Sequence, residues 1–304
     1  MPNILIAGGN GYLGRVLTRR LTKDGHSVNW LVRKINPEIP VPQFEFNLQK
    51  KTFDNKSLEN TDALISLSGA GIIDRRWTKK YKQQIIDSRV KTNQLIFENL
   101  SKGNYRVQSF IGTSAVGYYG QITCEKIFTE EDESGNDFIA QCCREWENSY
   151  KAFELSGIRT CVLRLGVVMG AESKAFKNSK MLFEKNLGSI IGNGKQYFPW
   201  IHEEDAAGIY SHALKNISIN GVYNAVADEQ CSNKLFSETL AMVLSKKILL
   251  PPVPEFVLRI LLGERAVTLT QGSRVANQKI KNTGYEFKFS TLEKALMDCL
   301  RQRH

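Results

Sequence analysis

Cysteine and histidine are scarce in this 304-residue sequence and follow no pattern. The six cysteines, Cys124, Cys142, Cys143, Cys161, Cys231 and Cys299, form no C-x-x-C pair. That excludes a zinc site built on such pairs and points to reduced thiols rather than a disulfide framework. The four histidines, His26, His202, His212 and His304, make no H-E-x-x-H or H-x-x-x-H set, so no metal is expected. No run approaches the ~20 apolar residues that span a bilayer, and no charged leader with an apolar segment of signal length opens the sequence. The expectation is a cytoplasmic protein with no membrane partner. Repeats and low-complexity tracts are also missing, and no linker is long enough to demand an independent domain.

What is present is enough apolar residue, 42%, to bury a large core. Lys and Arg number 41 against 31 Asp and Glu, a net charge of +10. The densest basic group is Arg75, Arg76, Lys79, Lys80 and Lys82, and acidic clusters at 130–133 and 203–205 interrupt the rest. Scattered charge of this kind reads as a solvated surface, not as a nucleic-acid footprint. A phosphate-rich ligand accounts for part of it.

The chain is organised around its start. An apolar strand, Ile4 to Ala7, runs into Gly8-Gly9-Asn10-Gly11-Tyr12-Leu13-Gly14, and an amphipathic helix follows with Val16, Leu17 and Leu21 on one face. A glycine pattern alone also occurs in ordinary turns. After a strand and before a helix, Gly8, Gly11 and Gly14 have the roles of a dinucleotide turn: a tight bend, close backbone approach to a pyrophosphate, and close helix packing. The pyrophosphate then lies at the positive end of the helix. A second strand, Ser27 to Val32, delivers Arg33-Lys34, 19 residues after Gly14. A carboxylate there suits the free ribose hydroxyl of NAD, whereas a cation suits the 2′-phosphate of NADP(H). Two cations and no acid favour NADP(H), the alternative being two ordinary surface bases.

Further strands are expected at Gln43 to Phe46, Asp62 to Leu67, Arg106 to Ile111, Thr160 to Leu165 and Val222 to Ala225. Helices are expected at about 80–100, 134–155, 233–244, 255–262 and 291–300. This alternation predicts an α/β fold, a doubly wound parallel sheet of Rossmann type with a smaller C-terminal mixed α/β lobe. The expected divisions are a nucleotide-binding core over 1–170, to which some later segments return, a substrate lobe over 171–250 and a helical extension over 251–304. Leu67, Ser68 and Gly69, small residues after a strand, are candidate cofactor walls, with Gln84, Ser88 and Arg89 nearby on the long helix.

Taken together, Ala7 to Gly14, Arg75-Arg76-Trp77, Ser88-Arg89, Ser114-Ala115 with Tyr118-Tyr119-Gly120, Trp146-Glu147, Arg164 to Val168, and Phe198 to His202 resemble the extended short-chain dehydrogenase/reductase superfamily. The branch is its atypical epimerase family, and the match covers nearly the whole chain, including a small C-terminal extension. The resemblance implies a cofactor site over Gly8, Asn10, Gly11, Tyr12, Leu13, Gly14, Arg33, Lys34, Leu67, Ser68, Gly69, Gln84, Arg89 and Val168. It also exposes a departure. The superfamily uses a Tyr as general acid/base, a Lys four residues later, and an upstream Ser or Thr. None of the ten tyrosines has a Lys at i+4. Aligned on Trp146-Glu147, Ile139 takes the Tyr position and Cys143 the Lys position, while Ser114 is retained and Arg89 replaces the usual Asn.

The catalytic candidates are then Ser114, Cys143 and His202. Each has a plainer role open to it: nicotinamide-side hydrogen bonding for Ser114, a buried apolar thiol for Cys143, and a structural hydrogen bond for His202. Two readings follow. One is an NADP(H)-dependent oxidoreductase or epimerase acting, with unusual proton handling, on a carbonyl or sugar-nucleotide-like small molecule. The other is a catalytically silent NADPH-binding sensor or scaffold. A monomer or homodimer suits either.

Overall fold

Short apolar runs form the middle layer of the computed structural model, which describes residues 2–301; His304 lies outside the described residues. The strands are β1 (Asn3–Ala7), β2 (Ser27–Val32), β3 (Gln43–Asn47), β4 (Thr52–Phe53), β5 (Ala63–Ser66), β6 (Ser109–Ala115), β7 (Ile127–Phe128), β8 (Arg159–Leu165), β9 (Val167–Met169), β10 (Trp200–His202), β11 (Gly221–Ala225) and β12 (Arg274–Val275). The helices are α1 (Tyr12–Lys23), α2 (Lys79–Leu100), α3 (Phe138–Asn148), α4 (Lys151–Leu155), α5 (Lys174–Glu184), α6 (Glu203–Lys215), α7 (Asn233–Val243), α8 (Glu255–Leu262), α9 (Val267–Thr270), α10 (Gln278–Lys281) and α11 (Leu292–Arg301).

One eight-stranded sheet has the order β11-β8-β6-β5-β1-β2-β3-β4. All its pairings are parallel except that of β4, which runs antiparallel to β3. Ile4 to Ala7 pair with Val28 to Leu31 on one side and with Ala63 to Ser66 on the other. From β1 the chain builds outward through β2 and β3, then crosses to β5 and builds the other way. The carboxyl ends of β1 and β5 are therefore the point where the winding reverses, and open α/β sheets bind ligands at that crevice.

Helices cover both faces, which is why the central strands are apolar on both sides. On one face Val16, Leu17 and Leu21 of α1 and Ile209 and Ala213 of α6 pack with Ile4, Ile6 and Ile65. On the other, Leu95 and Ile96 of α2, Trp146 of α3 and Phe153 of α4 pack with Leu5, Leu64 and Phe110. A further cluster joins Phe176 and Phe183 of α5, Phe236 and Leu240 of α7, and Leu292 and Leu296 of α11.

The structure departs from the sequence expectations in several places, among them the short antiparallel strand β4 and the short helices α9 and α10. The fifth expected strand runs over 109–115, not 106–111, because Gly112 to Ala115 pair with Val162 to Leu165 of β8. The helix expected over 134–155 is broken after Asn148, where the Ser149 hydroxyl donates to the Trp146 carbonyl and the Tyr150 phenol to that of Thr113. α5 was not anticipated. Its signals are the Ser173 cap, whose hydroxyl accepts from the Phe176 amide, and Phe176 and Phe183, buried two turns apart. The pairs β9–β10 and β7–β12 were also not anticipated, because their partners lie far apart in sequence and leave no local pattern.

Candidate functional site

The glycine turn closes on itself and on its neighbours. Gly8, at φ +83°, takes a left-handed conformation that side chains disfavour, and its amide donates to the Leu31 carbonyl at 3.0 Å. The Gly11 amide donates to the Gly8 carbonyl at 3.0 Å. Gly11 also caps α1 with no side chain in the cap, so the positive end of that helix is left to an external acceptor. Gly14 has a different task. A Cβ there would lie 2.3 Å from the Gly9 carbonyl oxygen, so only glycine lets α1 pack against the turn. Gly9 itself lies under the Trp30 ring, which a Cβ would approach to 2.2 Å.

In front of Gly8 and Gly11 lies a cleft of ≈ 850 Å³. The turn forms one wall and Leu67, Ser68, Gly69 and Ala70 another. The end of β2, Leu31 to Arg33, and the segment Phe46 to Gln49 form the far end. α2 contributes a polar stripe at helical spacing: Lys80, Gln83, Gln84, Asp87, Ser88 and Lys91. Arg33 is exposed on this wall and makes no ion pair among the described residues.

Of the expected cofactor residues, Gly8, Asn10, Gly11, Arg33, Leu67, Ser68, Gly69 and Gln84 line the cleft. Tyr12, Leu13, Gly14, Lys34, Arg89 and Val168 do not. The Tyr12 phenol donates to the Glu203 carboxylate, tying the turn to α6, and burial holds that phenol well above its usual pKa. Leu13 and Val168 pack against the core. Lys34 is exposed outside the cleft, and Arg89 is buried behind Gly69. Of the stripe on α2, with its i, i+3, i+4, i+7 spacing, the expectations include only Gln84 and Ser88. Phe46 to Gln49 gave no signal, because a short strand and a turn carry no nucleotide signature.

Ser114 and Cys143 meet where β6 packs on α3, but His202 is not brought to them. Ser114, at the carboxyl end of β6 and 1% exposed, donates to Glu147 Oε1 at 2.6 Å. Arg164 of β8 grips the same carboxylate with two bonds of 2.8 Å, and its Nη1 donates to the Tyr119 phenol at 3.0 Å. Its guanidinium also stacks 3.4 Å from the Tyr118 ring centroid. Cys143 is fully buried, and burial pushes its thiol up to about 12, so it carries no thiolate at neutral pH. Ile139 packs over Gly117, whose Cβ would meet the Ile139 methyl at 2.4 Å. The positions of the usual Tyr and Lys are thus filled by packing. His202, also fully buried, lies elsewhere: its Nδ1 accepts from the Glu204 amide at 3.2 Å to cap α6, and its ring lies 3.7 Å from that of Phe289. Its Nε2 lies 3.4 Å from Asp298 Oδ2, but burial dominates and lowers it to about 4, so it is neutral at pH 7. Among the described residues no His, Cys, Asp or Glu group is arranged to hold a metal, and no helix is long and apolar enough to cross a membrane.

A doubly wound sheet whose glycine turn and uncapped helix face a cleft at the winding reversal defines a Rossmann-like protein. Residues 4–225 match the NAD dependent epimerase/dehydratase family, and residues 253–299 match a domain of unknown function, DUF1731. The chain belongs to that epimerase/dehydratase family. It is 35% identical over 303 residues to the epimerase family protein YfhF of Bacillus subtilis, covering 99% of each chain. The crystal structure of human epimerase family protein SDR39U1 (isoform 2) with NADPH superposes with a TM-score of 0.88 at 29% identity, covering 99% of this chain and 100% of that one. A nucleoside-diphosphate sugar epimerase from Corynebacterium glutamicum gives a TM-score of 0.80 at 28% identity, covering 98% of this chain and 58% of that one.

Proposed function

We propose that the protein is an NADP(H)-dependent oxidoreductase or epimerase that acts on a small carbonyl or sugar-nucleotide-like substrate without a Tyr-x-x-x-Lys pair. The observation that carries this reading is Arg33, an unpaired guanidinium at the end of β2 on the wall of the cleft. No acid of that strand end competes for it, and a 2′-phosphate is the group of NADP(H) that NAD lacks. The NADPH in the similar human structure and the name of the bacterial sugar epimerase support the two halves of the reading.

In this reading the Gly8–Gly11 turn and the amino end of α1 hold the pyrophosphate, and Arg33 holds the 2′-phosphate. Bound NADPH supplies the hydride. Ser114, at the carboxyl edge of the sheet, receives the substrate oxygen when its hydroxyl turns from Glu147, and Arg164 keeps that carboxylate in place. Residues 171–250 form the substrate lobe.

The test is a titration of the purified protein with NADPH and NADH, followed by a carbonyl and sugar-nucleotide screen for deuteride transfer from 4-deuterated NADPH. Tighter NADPH binding with label in a product is the expected result. Arg33→Glu should weaken NADPH far more than NADH; equal losses would show that Arg33 does not read the 2′-phosphate.

A further inference from the structure

Phe256, Val257, Leu258, Ile260, Leu261 and Leu262 make α8 apolar on nearly every side, yet none of its residues is buried. A helix with so few polar positions is ordinarily covered. Here Phe256, Ile260 and Leu261, with Leu249 just before Pro251 and Pro252, are 62–71% exposed. The helix is nevertheless held in place. Before it, the Val253 amide donates to the Ile190 carbonyl at 2.8 Å and the Gly192 amide to that of Val253 at 2.9 Å. After it, Arg265 Nη1 donates to the Ile73 carbonyl at 2.6 Å, and Lys82 pairs with Glu264. α8 is thus fixed at both ends with an apolar side that no described residue covers.

Area and charge indicate what covers it. At ~200 Å² for a fully exposed side chain, these four residues and Leu250 present on the order of 500 Å² of apolar surface. A standard interface takes ~800 Å² from each partner, and about two-thirds of that is apolar when the partners are copies of one chain. The patch supplies that share. Its charges are also self-complementary. At helical spacing Phe256 and Ile260 lie on one line, and Glu255 and Arg259 lie on the flank beside it, 3.8 Å apart. When two copies of the helix pack antiparallel about a two-fold axis, the same flanks meet with their order reversed, so Glu255 of each copy comes beside Arg259 of the other. A helix that lies on a membrane needs a basic polar face, whereas this flank carries one charge of each sign.

We propose that α8 is the interface of a homodimer, packed antiparallel on the α8 of a second copy, with Phe256 and Ile260 at its centre. Neither residue lines the cleft, so the inference does not depend on the NADP(H) reading.

The experiment is sedimentation velocity of the purified full chain over a concentration series. The wild type should dimerise, and Ile260→Glu should weaken the dimer about thirtyfold or more. Its melting temperature, extrapolated to low concentration, should match that of the wild type, because the side chain is exposed in the single chain. A second arm uses the charges. Glu255→Arg and Arg259→Glu should each weaken the dimer severalfold, because like charges then face each other, and an equimolar mixture of the two variants should restore it as a mixed dimer. A wild type that stays monomeric overturns the proposal, including one that instead binds vesicles of anionic lipid. So does a dimer indifferent to Ile260→Glu, or a mixture that associates no better than its components.

Discussion

The Ser114 hydroxyl and the Glu147 carboxylate are joined at 2.6 Å across the interface of β6 with α3, and Arg164, only 3% exposed, donates to both oxygens of that carboxylate. Burial works against the Arg164 charge, but Glu147 and Tyr119 more than offset it. Removing Glu147 leaves that charge without its counter-ion. Glu147→Ala should therefore cost about 3 kcal/mol or more in urea unfolding, whereas Ser114→Ala, which removes one hydrogen bond, should cost about 1 kcal/mol. Similar small losses for both would show that Arg164 is satisfied by its tyrosine neighbours.

The turn glycines divide into two kinds. A Cβ on Gly14 would meet backbone at 2.3 Å, which cannot swing aside, whereas one on Gly11 meets only the Gly8 carbonyl at 3.2 Å. Gly14→Ala should lower the melting temperature clearly, by the equivalent of about 1–3 kcal/mol, and Gly11→Ala much less. The reverse order would mean that the turn relaxes more easily than its packing implies.

Cysteine reactivity should separate one thiol from the rest. Cys143, Cys161, Cys231 and Cys299 are each pushed up to about 12 by burial, and Cys142 is raised by the same cause. Cys124 is only half-buried. Brief alkylation of native protein followed by peptide mass spectrometry should label Cys124 alone. Rapid labelling of Cys143 would mark it as an accessible, activated thiol.

His202 predicts a pH effect. Free histidine titrates near pH ~6.5, and burial lowers His202 to about 4. Between these values the unfolded chain binds a proton that the folded chain does not, so the His202 contribution is complete above pH ~6.5 and is lost as pH falls toward 4. Glu203 and Asp205, raised by burial, oppose this in an overlapping range, so the readout is the difference between wild type and His202→Asn, which keeps a capping side chain. Stability relative to the variant should fall by ~2–3 kcal/mol from pH 7 to pH 4. Parallel profiles would show that His202 is protonated in the fold.

Much of the fold was legible because its signals are local. The bounds of α1 and β2 follow from apolar spacing and from Gly25, and the dinucleotide turn from three glycines between a strand and a helix. Gly8, Gly11 and Arg33 could be assigned to a cleft for the same reason: each sits at a strand end whose place in such a sheet is fixed by topology. Phe46 to Gln49 and the stripe on α2 could not, because they become a wall only when two remote segments face each other.

By itself, the sequence determined that the chain is an α/β protein with a glycine turn, that a cation follows β2, and that the usual Tyr and Lys are missing. All three depend on residue identity and spacing. Only the tertiary structure decided that Arg89 lies buried and unpaired behind Gly69, that Ser114 is bonded to Glu147, and that His202 caps a helix away from the cleft. The Arg89 and Ser114 partners are chosen by packing between segments tens of residues apart, and a side chain's charge state and direction follow from what surrounds it.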